Sequence, residues 1–258
     1  MKKIEILIRS TLFNIFFFTM TPLMALCALP TIWMPRERAM FIVHSWVKMV
    51  YALERLFLSL DYEVRGWEHV PQGTSFLVAA KHQSAYETMK LHILFGDPAI
   101  VLKRELLSIP LWGLFLAKID PVAIDRGNRE QAMKSLLAGV KHVQDQGRPI
   151  VIFPQGTRVK TDVTAAEKPY KGGIARMQAA SGLPIVPMAL NTGLFWPKNS
   201  LIKRPGKVIF QFYPAIPAGK QTETLIKDLE MIIETGSNAL NAESRAQYAY
   251  LPKQGEKV

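Results

Sequence analysis

Hydrophobic and polar positions are spaced differently in three successive parts of the chain. Positions 11–34 carry no charged residue, and positions 40–60 repeat polar residues at helical spacing. From position 61 onward, short apolar runs alternate with segments of helical periodicity. We therefore predict N-terminal membrane-binding helices over 1–60, a catalytic domain over 61–240 and a polar C-terminal tail over 241–258.

The uncharged run at 11–34 is long enough to cross a bilayer, which takes about 20 apolar residues as a helix. Pro22 and Pro30 interrupt it, and we expect them to kink or shorten the helix. A cleavable signal peptide is the alternative. It is disfavoured because the apolar run is too long and no small-x-small cleavage site lies at its end.

The segment 40–60 has a narrow polar stripe, formed by Ser45, Lys48, Ala52, Arg55 and Ser59 at spacings of three and four residues. Apolar residues cover most of the remaining helix surface. This pattern indicates a helix lying in a membrane interface with its cations toward lipid headgroups. It equally fits an amphipathic helix packed on the domain, and both descriptions can hold in part.

The remainder of the chain has an α/β pattern. The predicted strands are 62–65, 75–80, 99–102, 122–124, 150–153, 185–189 and 208–212, most of them short, apolar and β-branched. Helical periodicity covers 130–146, 172–181 and 223–239. Alternating strands and helices predict an α/β fold, a sheet flanked by helices on both faces and preceded by the N-terminal two-helix segment.

Charge narrows the range of partners. The formal net charge is +11 in a chain that is 49% hydrophobic, so either nucleic acid or anionic membrane lipids would fit. No nucleic-acid-binding signature is present, which favours the membrane and predicts no nucleic-acid partner. The single cysteine, Cys27, excludes an internal disulfide and a thiolate zinc site.

The most informative residues are His82 and Glu87, which directly follow the apolar run 76–80. A neutral imidazole can remove the proton of an alcohol as it attacks a carbonyl, and a carboxylate can fix its tautomer. The spacing of five requires the pair to bridge a turn and a helix start. Ser84-x-x-Glu87 is also a capping-box pattern, so Glu87 could simply cap that helix.

Two arginines, Arg126 and Arg158, also follow predicted strands, where open α/β sheets bind ligands. Guanidinium groups suit phosphate because they bond two oxygens at once. Lys171, followed by two glycines, could join them at a helix N-terminus. Any one of these cations could instead be a solvated surface residue in so basic a chain.

Four motifs together resemble the 1-acyl-sn-glycerol-3-phosphate acyltransferases, the PlsC-like glycerolipid acyltransferase family, over nearly the whole chain. His82 to Glu87 resembles the family's His-x4-Asp block, and Ala123-Ile124-Asp125-Arg126 its second block. Phe153-Pro154-Gln155-Gly156-Thr157-Arg158 resembles its Phe-Pro-Glu-Gly-Thr-Arg block. Ile185 to Ala189 resembles the fourth, and the segment beginning at Lys103 is also family-like. The chain departs from the family in having Glu87 for aspartate and Gln155 for glutamate.

The resemblance implies acyl transfer from a thioester, acyl-CoA or acyl-carrier protein, to the sn-2 hydroxyl of lysophosphatidic acid, giving phosphatidic acid in phospholipid synthesis. His82 would be the general base and Glu87 its orienter. Substrate would be bound by Arg126, Gln155, Gly156, Thr157, Arg158, Lys103 and Lys171. Thr157 and amides near Gly156 could assist binding or stabilise oxyanion charge. An acyl-serine route through Ser84 has less support, and neither a metal nor a cofactor is required.

Three other functions remain open. The enzyme could acylate another acceptor, such as glycerol-3-phosphate or a lyso-aminolipid. It could be a hydrolase, although no Gly-x-Ser-x-Gly elbow is present. It could also be a non-catalytic membrane-shaping protein, which the complete set of motifs disfavours. Because the acyl donors are cytosolic, we expect a membrane location on the cytoplasmic face, such as that of the bacterial inner membrane, with the N-terminal helices as a hairpin in that leaflet.

Overall fold

The computed structural model describes residues 3–110, 112–125 and 129–256. Seven strands form one sheet in the order β1-β7-β6-β2-β5-β3-β4. The strands are β1 (Leu60–Arg65), β2 (Leu77–Ala80), β3 (Ala99–Lys103), β4 (Val122–Ile124), β5 (Ile150–Ile152), β6 (Ile185–Leu190) and β7 (Gly206–Phe212). All neighbours are parallel except β6 and β7. The predicted strands are therefore confirmed, with ends shifted by a few residues.

Eight helices accompany the sheet in the described part of the chain: α1 (Lys3–Ala28), α2 (Arg36–Leu53), α3 (Tyr86–Phe95), α4 (Trp112–Lys118), α5 (Arg129–Asp145), α6 (Gly173–Ser181), α7 (Thr192–Phe195) and α8 (Thr222–Gln247). A 3₁₀ turn, Leu29–Trp33, follows α1, and a single π-helical turn, Glu54–Leu58, extends α2. The predicted α/β fold with flanking helices is confirmed.

Alternation along the central strands divides the core between the two faces of the sheet. Val78 and Ala80 of β2 face a cluster that includes residues of α1, α2 and α3. Leu77 and Ala79 face the opposite cluster, to which α5, α6 and α8 contribute. Because successive side chains of a strand point to opposite faces, a strand buried on both faces is apolar at every position. This explains the continuous apolar runs of the sequence.

The first helix runs without a break through Pro22 to Ala28, and Pro30 lies in the 3₁₀ turn beyond it. The α-helix ends two residues before Pro30, but Pro22 does not shorten it, because proline removes one backbone hydrogen bond and the neighbouring bonds maintain the helix. By length and composition, Lys3–Trp33 could cross a membrane. However, Ser10 Oγ donates to the carbonyl of Lys203, and Phe13 is completely buried. One side of α1 is thus attached to the domain.

The polar stripe of the second segment faces outward. Lys48, Arg55 and Ser59 are exposed, whereas Val47 and Val50 are buried against the domain. The helix therefore packs on the domain and presents its cations to the surroundings. Contact of that stripe with a membrane remains a prediction.

The polar segment at the C-terminal end is not a loose tail in its first part. Helix α8 continues to Gln247, well beyond the predicted end at 239. Asn241 and Ser244 are buried, and Ser244 Oγ accepts a hydrogen bond of 2.8 Å from the side-chain Nδ2 of Asn191. The prediction of a loose tail is therefore wrong for residues 241–247, because the helix continues and Ser244 has a polar partner in Asn191 at the end of β6.

Candidate active site

Five neighbouring strands, β6-β2-β5-β3-β4, run parallel, so their carboxyl ends lie along one edge of the sheet. His82 follows β2, the loop that contains Gly156 follows β5, and Lys103 ends β3. Arg126, which follows β4, lies outside the described residues. The topology therefore brings the predicted blocks to the same edge, as expected for ligand binding by an open α/β sheet.

His82 and Glu87 are in contact. His82 Nδ1 lies 2.7 Å from Glu87 Oε1, the histidine side chain is 19% exposed, and the carboxylate is fully buried. In the tautomer that carries its proton on Nδ1, His82 donates a hydrogen bond to this carboxylate. The unprotonated Nε2 is then the nitrogen that can take a proton from a substrate.

Glu87 is held by backbone groups at the start of α3. Its Oε1 also accepts hydrogen bonds from the amides of Gln83, at 2.8 Å, and Ser84, at 2.7 Å. Ser84 Oγ accepts a bond of 3.1 Å from the amide of Tyr86. The two roles considered for Glu87 are therefore compatible, because one carboxylate satisfies the free amides before α3 and also orients His82.

The turn after β6 completes this network, which no motif in the sequence predicts. Thr192 Oγ1 donates to Glu87 Oε2 at 2.8 Å, and both side chains are buried. The amide of Gly193 donates to Gln83 Oε1 at 2.9 Å. A hydroxyl directly after a buried strand was the available signal, since β6 lies beside β2 in the sheet.

The loop after β5 shapes the other side of the histidine. The ring of Phe153 stacks on that of His82 with centroids 4.1 Å apart. Gly156 has a φ of 72°, and its amide donates to the Phe153 carbonyl at 2.8 Å. A left-handed φ of this kind favours glycine. Because this turn already uses the Gly156 amide, stabilisation of oxyanion charge by that amide is not supported.

Gln155 is buried and is absent from the lining of the cavity described below. Its Nε2 donates to the carbonyl of Lys168 at 3.3 Å, and its Oε1 has no partner among the described residues. The neutral side-chain amide of Gln155 therefore stabilises the loop after β5 from its buried side. Direct contact of this side chain with substrate, as the motif implies, stays a prediction.

A cavity of about 1030 Å³, the main cavity, opens beside His82. Apolar side chains from α1, α2, α4, α5 and β3 line most of it, including Ala25, Val43, Leu102, Phe115 and Ala132. This size and lining suit a long apolar ligand.

The lining also includes four cations, Lys103, Arg158, Lys171 and Arg176, together with Gly156 and Thr157. A Cβ added at Gly156 would lie 3.2 Å from Lys171 Nζ, so the absent side chain lets the ammonium cross the loop. Lys103 Nζ is paired with Glu105 at 2.7 Å. Arg176, in the first turns of α6, was missed although its position near a helix start was visible in the sequence. The cavity thus combines apolar walls with positive charge.

One further polar side chain lines the main cavity. His92, on α3, is 7% exposed, and its Nδ1 has no hydrogen-bond partner among the described residues. Burial, assisted by neighbouring His44, lowers the pKa of His92 to about 4. The imidazole is therefore neutral at physiological pH.

Comparison with known proteins identifies relatives of this arrangement. Residues 61–191 match the sequence model of a family described as Acyltransferase. The 1-acyl-sn-glycerol-3-phosphate acyltransferase of Pseudomonas aeruginosa is 36% identical over 208 residues, which are 81% of this chain and 79% of that protein. The enzyme of the same name from Saccharomyces cerevisiae is 30% identical over 71% of this chain and 60% of its own length.

Among solved structures, the crystal structure of the 1-acyl-sn-glycerophosphate (LPA) acyltransferase from Thermotoga maritima superposes with a TM-score of 0.72. The match covers 92% of this chain and 98% of that one, at 22% sequence identity. At this identity the superposition supports the fold.

Proposed function

This chain belongs to the acyltransferase family, and on that premise we propose that it transfers an acyl chain from a thioester to the sn-2 hydroxyl of 1-acyl-sn-glycerol-3-phosphate. The product would be phosphatidic acid. The names of the relatives from Pseudomonas aeruginosa and Saccharomyces cerevisiae support this acceptor. The observation that carries the proposal is the bond between His82 and buried Glu87 beside an apolar cavity with cations.

In the proposed reaction, His82 Nε2 removes the proton of the acceptor hydroxyl as its oxygen attacks the thioester carbonyl. A carbon–oxygen bond forms, and the carbon–sulfur bond breaks as the tetrahedral intermediate collapses. The proton on Nε2 then passes to the leaving sulfur, which restores the neutral imidazole. Glu87 stabilises the transient imidazolium and holds the Nδ1–H tautomer, as a carboxylate does when it is hydrogen-bonded to a catalytic histidine. The proposed steps use no cofactor; acyl-CoA or acyl-carrier protein is the co-substrate.

The cations are assigned to substrate phosphate. Arg158 and Lys171 line the cavity that His82 also lines, and a guanidinium can bond two phosphate oxygens at once. Arg126 and Lys103 are proposed as further phosphate ligands, the first on the motif alone. The main cavity is proposed to hold the acyl chain of the donor.

The membrane location is part of the same proposal. One face of α1 is apolar and exposed, including Leu7, Ile8, Ile15 and Phe18, and the formal net charge is +11. An apolar helix face together with positive charge binds anionic lipid surfaces. We place the domain on the cytoplasmic face, because the thioester donors are cytosolic.

The test is an assay of the purified protein with lysophosphatidate and either palmitoyl-CoA or palmitoyl-acyl-carrier protein. We expect phosphatidate, and we expect His82→Ala to lower turnover at least about a hundredfold, the usual effect of losing a general base. The matched control is His69→Ala, at a partly exposed histidine in the 3₁₀ turn after β1, which should keep normal turnover.

Other outcomes would change the assignment. Acylation of glycerol-3-phosphate or a lyso-aminolipid in place of lysophosphatidate would identify a different acceptor. Free fatty acid released without any acceptor would indicate a hydrolase. Near-normal turnover in a folded His82→Ala protein would remove His82 from the mechanism.

A further inference from the structure

A second depression, the side groove, lies next to the main cavity. It has a volume of about 610 Å³ and runs between α1 and the segment 196–203. Its walls include Phe17, Phe18 and Pro22 of α1 and Trp196 and Leu201 of that segment. The groove is therefore mostly apolar, and no step of the reaction described above uses it.

The walls of the side groove are fixed to each other. Ser10 Oγ donates to the Lys203 carbonyl at 2.8 Å and accepts from the Lys203 amide at 3.0 Å. Asn14 Nδ2 donates to the Leu201 carbonyl at 2.8 Å, and Lys203 Nζ donates to Asn14 Oδ1 at 2.8 Å. Because these bonds join α1 to the segment 196–203, the groove exists without a ligand.

Two tryptophans stand between the side groove and the main cavity. The rings of Trp46 and Trp112 meet edge to face with centroids 5.9 Å apart, and Trp46 Nε1 donates to Thr21 Oγ1 at 3.1 Å. Both depressions are lined by these three residues and by Thr88, Met89 and Arg158. The two depressions therefore share one wall, at which the arginine assigned to phosphate lies, and their other lining residues differ.

The proposed product requires such an arrangement. Phosphatidic acid carries two acyl chains on adjacent carbons, and its phosphate lies on the third carbon of the same glycerol. One chain comes from the donor and the other arrives on the acceptor, so two apolar paths must diverge from the reacting atoms. A single cavity filled by the donor chain leaves the acceptor chain without a place.

The surroundings decide which chain lies in which depression. The side groove opens beside the exposed apolar face of α1, where Phe18 is 58% exposed and Leu201 64% exposed. A single-chain lipid dissolved in a membrane would meet this side first. The main cavity carries the exposed cations Lys171 and Arg176, which fit the anionic, water-soluble carrier of the donor.

We propose that the side groove binds the sn-1 acyl chain of the lysolipid acceptor, with its phosphate at Arg158 and its hydroxyl at His82. This proposal rests on the proposed function. It adds a binding site for the acceptor chain, separate from the cavity for the donor chain.

The experiment compares one substitution made in each depression. Ala85 lines only the side groove and Ala132 only the main cavity, so Ala85→Leu and Ala132→Leu add the same atoms at different places. For each variant, kcat/KM is measured with octanoyl and palmitoyl lysophosphatidate as acceptors, and separately with octanoyl and palmitoyl-CoA as donors. The acceptor ratio is kcat/KM with palmitoyl lysophosphatidate divided by kcat/KM with octanoyl lysophosphatidate. The donor ratio is the same quotient for palmitoyl-CoA and octanoyl-CoA.

Ala85→Leu should lower the acceptor ratio about tenfold, the effect of roughly two methylenes no longer buried. Its donor ratio should stay within about twofold of the unsubstituted protein, as for independent sites. Ala132→Leu should give the reverse pattern. If Ala85→Leu does not fold, Leu201→Trp at the rim of the same groove takes its place with the same expectation.

Two results would overturn the groove assignment. A change in the donor ratio by Ala85→Leu would show that the groove holds the donor chain. Unchanged ratios for both Ala85→Leu and Leu201→Trp would show that it holds only bilayer lipid. Failure of the unsubstituted protein to form phosphatidate with any donor would instead reject the proposed function, which is established before the variants are compared.

Discussion

At the scale of single residues, the site depends on how Glu87 is held. The carboxylate accepts from two amides, from His82 Nδ1 and from Thr192 Oγ1. Each of these hydrogen bonds restrains one oxygen of the Glu87 carboxylate. The restrained carboxylate in turn orients the His82 ring. A glutamate, one methylene longer than the family's aspartate, therefore still gives a defined geometry, because four donors leave its oxygens little freedom.

Thr192→Val tests this positioning role. Valine preserves the shape of threonine but removes the hydroxyl, which leaves Glu87 Oε2 without that donor in a buried site. A hydrogen bond to a charged group contributes about 1.5–3 kcal/mol, so kcat should fall about tenfold to a hundredfold. The KM values for donor and acceptor should change little.

The conservative variant Thr192→Ser is the control, because serine restores the hydroxyl and should recover most of kcat. If kcat of Thr192→Val is normal, or if Thr192→Ser is as impaired as the valine variant, the hydroxyl does not position Glu87. Thermal unfolding of both variants shows whether a loss of kcat merely follows a loss of stability.

The lowered pKa of His92 predicts that the stability of the folded protein depends on pH. Its pKa is lowered to about 4 by burial, against about 6.5 for an unfolded histidine. Below about pH 6.5 the unfolded chain binds a proton that the folded protein does not, so stability is present above this pH and is lost as pH falls toward 4. The full loss is about 3 kcal/mol.

Unfolding midpoints measured between about pH 7 and pH 5 check this expectation, since most of the difference in proton binding develops in that window. His92→Leu should flatten the decline, because leucine has no proton to bind. His69→Leu, at the partly exposed histidine, should leave it unchanged. Parallel curves for the unsubstituted protein and His92→Leu would contradict the assignment.

At the scale of secondary structure elements, a buried ion pair connects the end of α2 to α3. Lys90 Nζ lies 2.5 Å from Glu54 Oε2, and both side chains have no exposed surface. The ring of Tyr51 lies 4.4 Å from the ammonium and that of Tyr86 4.7 Å. Burial raises the pKa of Glu54 to about 7 and lowers the pKa of Lys90, although each partner favours the charge of the other. The pair therefore links the N-terminal helices to the helix that carries Glu87.

Lys90→Met should destabilise the protein by about 3–5 kcal/mol, because it leaves the Glu54 carboxylate buried without its partner. The double variant Glu54→Leu/Lys90→Met should be less destabilised than this single variant, since it leaves no buried charge. Equilibrium unfolding in a mild detergent measures both.

The matched control is Lys141→Met at the exposed pair of Lys141 and Asp145. That change should stay within about 0.5 kcal/mol, as for surface pairs on helices. A single variant Lys90→Met as stable as the control would show that the buried pair contributes nothing to holding α2 on α3.

At the scale of the whole molecule, α1 has two different sides. Ser10 and Phe13 attach one side to the domain, whereas Ile8 and Ile15, seven positions apart, are 55% and 57% exposed on the other. This arrangement makes the helix a preformed apolar ridge on a basic protein. A crossing of the bilayer by all of α1 would require these contacts with the domain to break.

The double variant Ile8→Glu/Ile15→Glu should lose binding to vesicles of anionic lipid while keeping its fold. Fully burying an isoleucine gives about 1.5–3 kcal/mol, so losing even part of this at two positions should lower the bound fraction at least about tenfold. Flotation with vesicles measures it, and Ile8→Leu/Ile15→Leu is the control. Undiminished flotation of the glutamate variant would place the membrane contact elsewhere.

The sequence by itself determined the elements and the chemistry. Short apolar runs marked the strands of a sheet buried on both faces, since every position of such a strand meets a core. The blocks around His82 and Gly156 were visible because they directly follow those runs. The departures from the family motifs at Glu87 and Gln155 were also visible, since each is a single differing residue in an otherwise matching motif.

Only the tertiary structure decided which distant groups meet. The bond of Thr192 to Glu87 joins residues 105 positions apart, through pairing of β6 with β2 that no local pattern specifies. No local pattern indicates that Glu54 and Lys90 form a buried pair, and the polar end of α8 is predicted from its composition to be a tail. In each case polarity predicts exposure by default, and long-range packing supplies the partner that makes burial favourable.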